Sequence, residues 1–224
     1  VMLYSKSMLR RIAKIAVPSI LQQSFVSVGN IFIQSLVNSF GSAVIAGYSA
    51  AIKLNTFTIT SFSTLGNALS SFSAQNIGAA KIDRVRKGFR AGTMLAWIIA
   101  VPFFVLFFFF GNEMLRIFME NPTGGAMKAG MAFLKIVSPF YFIISLKLLA
   151  DGLLRGSSAM IGFMVSTFTD LILRVILAYV FAGLFGSTGI WMSWPVGWSI
   201  SAIISLLFYR YTWKQLSVER RLIK

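Results

Sequence analysis

Long apolar stretches constrain this chain more than any other feature. A helix needs about 20 predominantly apolar residues to cross the hydrocarbon core of a bilayer. Six segments qualify, at approximately residues 12–38, 43–74, 88–110, 126–150, 162–185 and 190–213. Charged residues make up only 12% of the chain and Phe occurs 22 times, including the run Phe107 to Phe110. A soluble domain carries about 25% charge, so this chain has too little to cover itself in water. The expected fold class is an all-α polytopic membrane protein with six transmembrane helices. The second segment is longer than a bilayer needs and is expected to tilt or to project from it.

The breaks between segments have local causes. Gly41-Ser42 marks an uncharged turn, Gly111-Asn112 ends the third span, and Asn121-Pro122-Thr123-Gly124-Gly125 is a loop signal. Gly186-Ser187-Thr188-Gly189 joins the last two spans. Pro102, Pro139 and Pro195 lie inside spans and are read as bends, which membrane helices tolerate because neighbours satisfy the freed carbonyls.

Basic residues set the orientation. Lys6, Arg10, Arg11 and Lys14 precede the first span, and Lys81, Arg84, Arg86, Lys87 and Arg90 follow the second. Arg155 lies between the fourth and fifth spans, and Arg210, Lys214, Arg220, Arg221 and Lys224 close the chain. The alternate connections hold only Arg116 and Lys128, offset by Glu113 and Glu120. Both termini are therefore expected on the cytoplasmic side. The net charge of +15 is divided among loops between apolar spans, which fits anionic lipid headgroups and not nucleic acid. Trp191, Trp194, Tyr209, Tyr211 and Trp213 are expected to form an interfacial aromatic belt.

Two spans carry polar faces. Gln23, Ser27, Asn30, Gln34 and Asn38 recur at helical spacing on the first; Lys53, Thr56, Thr60, Ser63, Asn67 and Ser70 do so on the second. Lipid would not accept either stripe, so both should face other helices or a wet cavity. Such groups can simply hold helices together, at about 0.6 kcal/mol each on average. Two consecutive stripes favour a pathway, with Gln23, Asn30, Gln34, Lys53 and Asn67 as its expected lining.

The ionisable residues inside spans are Lys53, Lys135, Lys147, Asp170 and Arg174. Lys135 and Lys147 are near span ends and are expected to snorkel. Asp170 and Arg174 are one turn apart and are expected to neutralise each other as an intramembrane ion pair. Asp151 reads as a boundary residue, and Lys53 lacks a partner nearby in sequence. With no His and no Cys, zinc sites, thiolate chemistry and the commonest general base are absent, so no enzyme and no bound cofactor are expected.

Several stretches in order resemble the C-terminal lobe of the multidrug and toxic compound extrusion (MATE) antiporters. Arg11-Ile12-Ala13-Lys14-Ile15-Ala16-Val17-Pro18 resembles the basic linker and Pro that open that lobe. Phe40-Gly41, with Ala46-Gly47-Tyr48-Ser49-Ala50-Ala51, resembles its first turn and second helix. Ser73-Ala74-Gln75-Asn76-Ile77-Gly78-Ala79, Gly152-Leu153-Leu154-Arg155-Gly156 and Leu173-Arg174-Val175 resemble later elements.

The resemblance implies one lobe of a two-lobed transporter in the bacterial cytoplasmic membrane, exporting cationic or amphipathic small molecules against H⁺ or Na⁺ by alternating access. Its partners would be membrane lipid, the substrate, and an N-terminal lobe or a second copy. The chain opens at Val1 and reads as part of a longer polypeptide. Some relatives carry acids near the positions of Val26 and Ile144; both are apolar here, which implies that cation coupling resides in the missing half. The alternatives are a lobe of a lipid-linked oligosaccharide flippase, or a membrane assembly subunit without transport.

Overall fold

The computed structural model describes residues 5–119 and 123–222, and these are almost entirely helical, with no strand among them. The helices are α1 (Lys6–Asn38), α2 (Ser42–Gly78), α3 (Ile82–Phe109), α4 (Gly111–Ile117), α5 (Gly124–Val137), α6 (Tyr141–Gly156), α7 (Met160–Phe185) and α8 (Ser187–Leu222). By length and apolarity, five stretches among the described residues could cross a membrane: Lys6–Asn38, Ile82–Phe109, Gly124–Gly156, Met160–Phe185 and Ser187–Leu216. Five such helices are the makings of a multi-pass membrane protein.

The 37-residue α2 is not among the five, although the sequence places a span there. Its polar stripe dilutes the apolar residues, and its position explains why that is tolerated. It packs against α3, α5 and α6, which cover part of its surface.

Small residues set the close approaches. Gly66 of α2 meets Gly152 of α6 so closely that a Cβ at Gly152 would overlap the Gly66 carbonyl. Gly156 fits against Ser70 in the same way, and Gly47 lies against Ala126 and Gly130 of α5. Without a hydrophobic drive between helices in lipid, such backbone proximity is what builds dispersion contact.

Aromatic rings fill one end of the bundle. Tyr48 stacks on Trp191 at 5.1 Å, and Phe133 meets Trp191 and Trp194 edge-on at 5.4 and 5.5 Å. Trp191 and Trp194 are thus core residues, not the interfacial belt expected of them. Tyr211 does remain exposed, while Tyr209 stacks on Phe89. At the opposite end Leu69, Val85, Phe89, Leu149 and Leu153 form a second apolar cluster.

The fourth expected span is divided. α5 and α6 are joined by a 3₁₀ turn at Ser138–Phe140, because Pro139 lacks the N–H that a continuous α-helix would use. Pro18, Pro102 and Pro195 sit within continuous helices instead. The short α4 occupies part of an expected loop; Leu115 anchors it, fully buried against Gly130 of α5. Glu120, Asn121 and Pro122 of that loop lie outside the described residues. Gly186 alone turns the chain from α7 into α8, at φ 61°, a left-handed conformation that favours glycine.

Candidate functional site

The polar stripe of α1 faces inward only in part. α1 is the least buried of the long helices, leaning on α7 through Phe25 against Phe168 (5.1 Å) and Gly29 against Leu171. That attachment leaves Gln23, Asn30 and Gln34 along the edge of a cavity of about 490 Å³. Ser27 instead donates to the Gln23 carbonyl at 3.1 Å, and Asn38 accepts from Gln34 Nε2 at 2.8 Å.

Across the cavity α2 supplies Asn55, Thr56, Thr60 and Ser63. Asn55 is buried, its Oδ1 accepting from the Tyr141 hydroxyl at 3.2 Å. α6 contributes Ile144 and Lys147, α7 contributes Thr167, Asp170 and Arg174, and α8 contributes Trp194 and Trp198. The space is amphipathic: amides and hydroxyls on two sides, indole rings on a third. Val26 and Ile144, where the resemblance implied acids in some relatives, both line it as apolar residues.

Two of the expected lining residues lie elsewhere. Lys53 borders a separate groove with Ala46, Ser49, Phe118 and Thr123, its ammonium 5.9 Å from the Phe118 ring. The α2 stripe steps by less than the roughly 3.6 residues of a helical turn. It therefore winds around the helix and carries Lys53 off the cavity face. Asn67 lines a smaller adjoining space of about 210 Å³, where its Oδ1 accepts from Arg155 Nη2 at 2.8 Å.

The charge pairing also differs from the one expected. No salt bridge joins Asp170 to Arg174. Arg174 lies over the Trp194 ring at 4.6 Å, and its Nε has no hydrogen-bond partner. Asp170 Oδ1 is buried beside Gly197 of α8, also without a partner. A salt bridge instead joins Lys147 to Asp151, at 2.8 Å. Lys147 does not snorkel and Asp151 is no boundary residue: they are 4% and 2% exposed. Asp151 Oδ1 also accepts from the hydroxyls of Ser205 on α8 and Ser166 on α7. One buried carboxylate thereby ties three helices together. Ser166, Ser205 and Thr167 gave no periodic signal in the sequence, since each works through a partner on another helix or stands alone.

Known proteins share this fold. The MatE family model matches residues 18–180. "Probable multidrug resistance protein YpnP" of Bacillus subtilis (strain 168) is 29% identical over 212 residues, 92% of this chain and 46% of that protein. "Probable multidrug resistance protein YoeA" from the same strain is 24% identical over 96% of this chain and 47% of its own length. The chain therefore spans about half the length of these curated relatives. Among solved structures, a MATE protein in the bent conformation superposes with a TM-score of 0.88 at 18% identity, over 97% of this chain and 48% of that one. A family model that accounts for most of the sequence, together with this shared fold, places the chain in the MatE family.

Proposed function

We propose that the chain forms one lobe of a multidrug efflux transporter in the bacterial cytoplasmic membrane, with both ends of its helical bundle on the cytoplasmic side. In this reading it exports amphipathic or cationic small molecules in exchange for H⁺ or Na⁺, the cavity opening alternately to either side as a second lobe moves against this one. The observation that carries the proposal is the cavity itself. Amide side chains of α1, hydroxyls of α2 and the indoles of α8 converge on one space between apolar helices. Polar groups at membrane depth are costly unless they serve a pathway or a partner, and a mixed polar–aromatic lining suits ligands with an apolar body and a polar head. The multidrug names carried by the two Bacillus relatives agree with this reading.

The cavity does not favour a lipid-linked sugar flippase with a basic lumen. Lys147 is neutralised by Asp151, Arg174 lies over the Trp194 ring in a cavity that Asp170 also lines, Lys53 borders another groove, and Lys135 is exposed. The test is export of ethidium from a pump-deficient bacterium expressing the full-length protein that contains this chain. Faster efflux than the vector control is expected; normal ethidium accumulation despite confirmed membrane insertion would refute the reading. Gln34→Leu should slow efflux without loss of insertion, because it removes an amide from the cavity edge. Unchanged efflux in that variant would mean that the α1 stripe only joins helices.

A further inference from the structure

We infer that the cytoplasmic ends of α3 and α8 form a binding site for the headgroup of an anionic phospholipid, held by Arg86, Arg90 and Tyr209. The inference takes only its orientation in the membrane from the transport reading and does not depend on what the cavity carries.

Spacing divides the charge on α3. At about 3.6 residues per turn, Arg86, Phe89 and Arg90 share one side of the helix, and Arg84 turns to the opposite side. The structure sets an aromatic partner beside the first group. Phe89 is buried and stacks on Tyr209 of α8, with ring centroids 4.6 Å apart and planes 20° from parallel. Val85, Leu206 and Trp213 pack around that stack as an apolar floor. Arg86 and Arg90, both exposed, lie close enough for their charges to act on the half-buried Tyr209 hydroxyl.

Depth agrees with a headgroup. Tyr209 is 22 residues from Ser187, where α8 begins, and Arg90 is 19 residues from Phe109, where α3 ends. At 1.5 Å per residue these are about 33 and 29 Å. Both residues thus stand about one hydrocarbon thickness from the outer end of the bundle, level with the phosphates of the cytoplasmic leaflet.

Like charges one turn apart on a helix repel. Asp83 stands on the same side one turn further out, and one acid against two guanidiniums leaves that side positive. An arginine fork matches phosphate oxygens, so a phosphodiester seated between Arg86 and Arg90 relieves the repulsion, and the Tyr209 hydroxyl can donate to it as well. The apolar floor receives the start of the acyl chains. A free anion would gain nothing from Phe89, Leu206 and Trp213; a lipid uses both halves. Basic charge that serves only to orient loops needs no such arrangement.

The experiment uses the purified, delipidated full-length protein that contains this chain, in detergent. Phosphatidylglycerol, phosphatidylcholine and inorganic phosphate are the probes, at matched concentration. Binding to the folded state raises the unfolding midpoint. A rise with phosphatidylglycerol well above that with the other two is expected. Arg86→Gln/Arg90→Gln should reduce it to the phosphatidylcholine level, and Tyr209→Phe, which keeps the stack and removes the hydroxyl, should fall between. Lys81→Gln/Arg84→Gln removes the same charge from the turn before α3 and from its opposite side, and should keep the full rise. An equal rise with phosphatidylcholine overturns the site, as does a full rise in the Arg86/Arg90 variant or in Tyr209→Phe. An equal loss in the Lys81/Arg84 variant marks diffuse attraction and overturns it too. A rise with inorganic phosphate as large as that with phosphatidylglycerol marks a free-anion site and overturns the lipid.

Ethidium efflux by the same wild-type protein separates this site from the transport reading. Efflux without the lipid effect removes the site and leaves transport standing. The lipid effect without efflux does the reverse.

Discussion

A lysine ammonium taken out of water costs several kcal/mol unless a carboxylate meets it. Lys147 meets Asp151 at 2.8 Å, so removing one partner strands the other. Asp151→Ala should lower the stability of the detergent-solubilised protein by about 3–5 kcal/mol, read as a drop in the thermal midpoint. Replacing both residues with Leu should cost less than the single change, because no charge is then left buried alone. Lys53 offers the opposite case. It borders a groove separate from the cavity, so Lys53→Ala should leave ethidium efflux within error of wild type; a large loss would mean that the two spaces communicate during transport. The residues explain why the cavity was only partly legible in the sequence. Gln23, Asn30 and Gln34 announced themselves by spacing. Lys147–Asp151 and Asp170–Arg174 share the same separation along the chain, and spacing cannot say which pair closes. That choice is made by Ser166 and Ser205, which gather at Asp151, and by Trp194, which draws Arg174 away.

The elements were legible wherever a long apolar run met a clear breaker. The boundaries at Gly41 and Gly186 follow from glycines with positive φ, and the structure turns there. Two features escaped because their cause is tertiary. The apolar run 126–150 is continuous in sequence yet divided at Pro139, and hydropathy alone cannot tell a bend from a break. α4 is too short to be periodic and forms because Leu115 has α5 to dock on. The α2–α6 contact yields a sharper test. Gly152 sits against the Gly66 backbone with no room for a methyl group. Gly152→Val must push the helices apart, and should lower the thermal midpoint by the equivalent of about 1–3 kcal/mol or more. A variant as stable as wild type would show that this contact is softer than it looks.

For the whole molecule, family membership and a fold shared with MATE structures follow from the match over residues 18–180 and the superposition. The one-residue turn at Gly186 joins α7 directly to α8. Gly189 presses directly on the Phe181 backbone just beyond it, so α7 and α8 are pinned at their junction. Along their length they are pinned again by the Ser166–Ser205 bond. Asp170, Arg174, Trp194 and Trp198 therefore belong to a single stiff plank. α1 has no comparable fastening. Within this lobe, α1 is then the helix expected to change the volume of the cavity, swinging on its contacts with α7 as a door moves against its frame. Spin labels on α1 and α7 should report a distribution of distances that shifts when ethidium is added, while labels on α7 and α8 should report one fixed distance throughout.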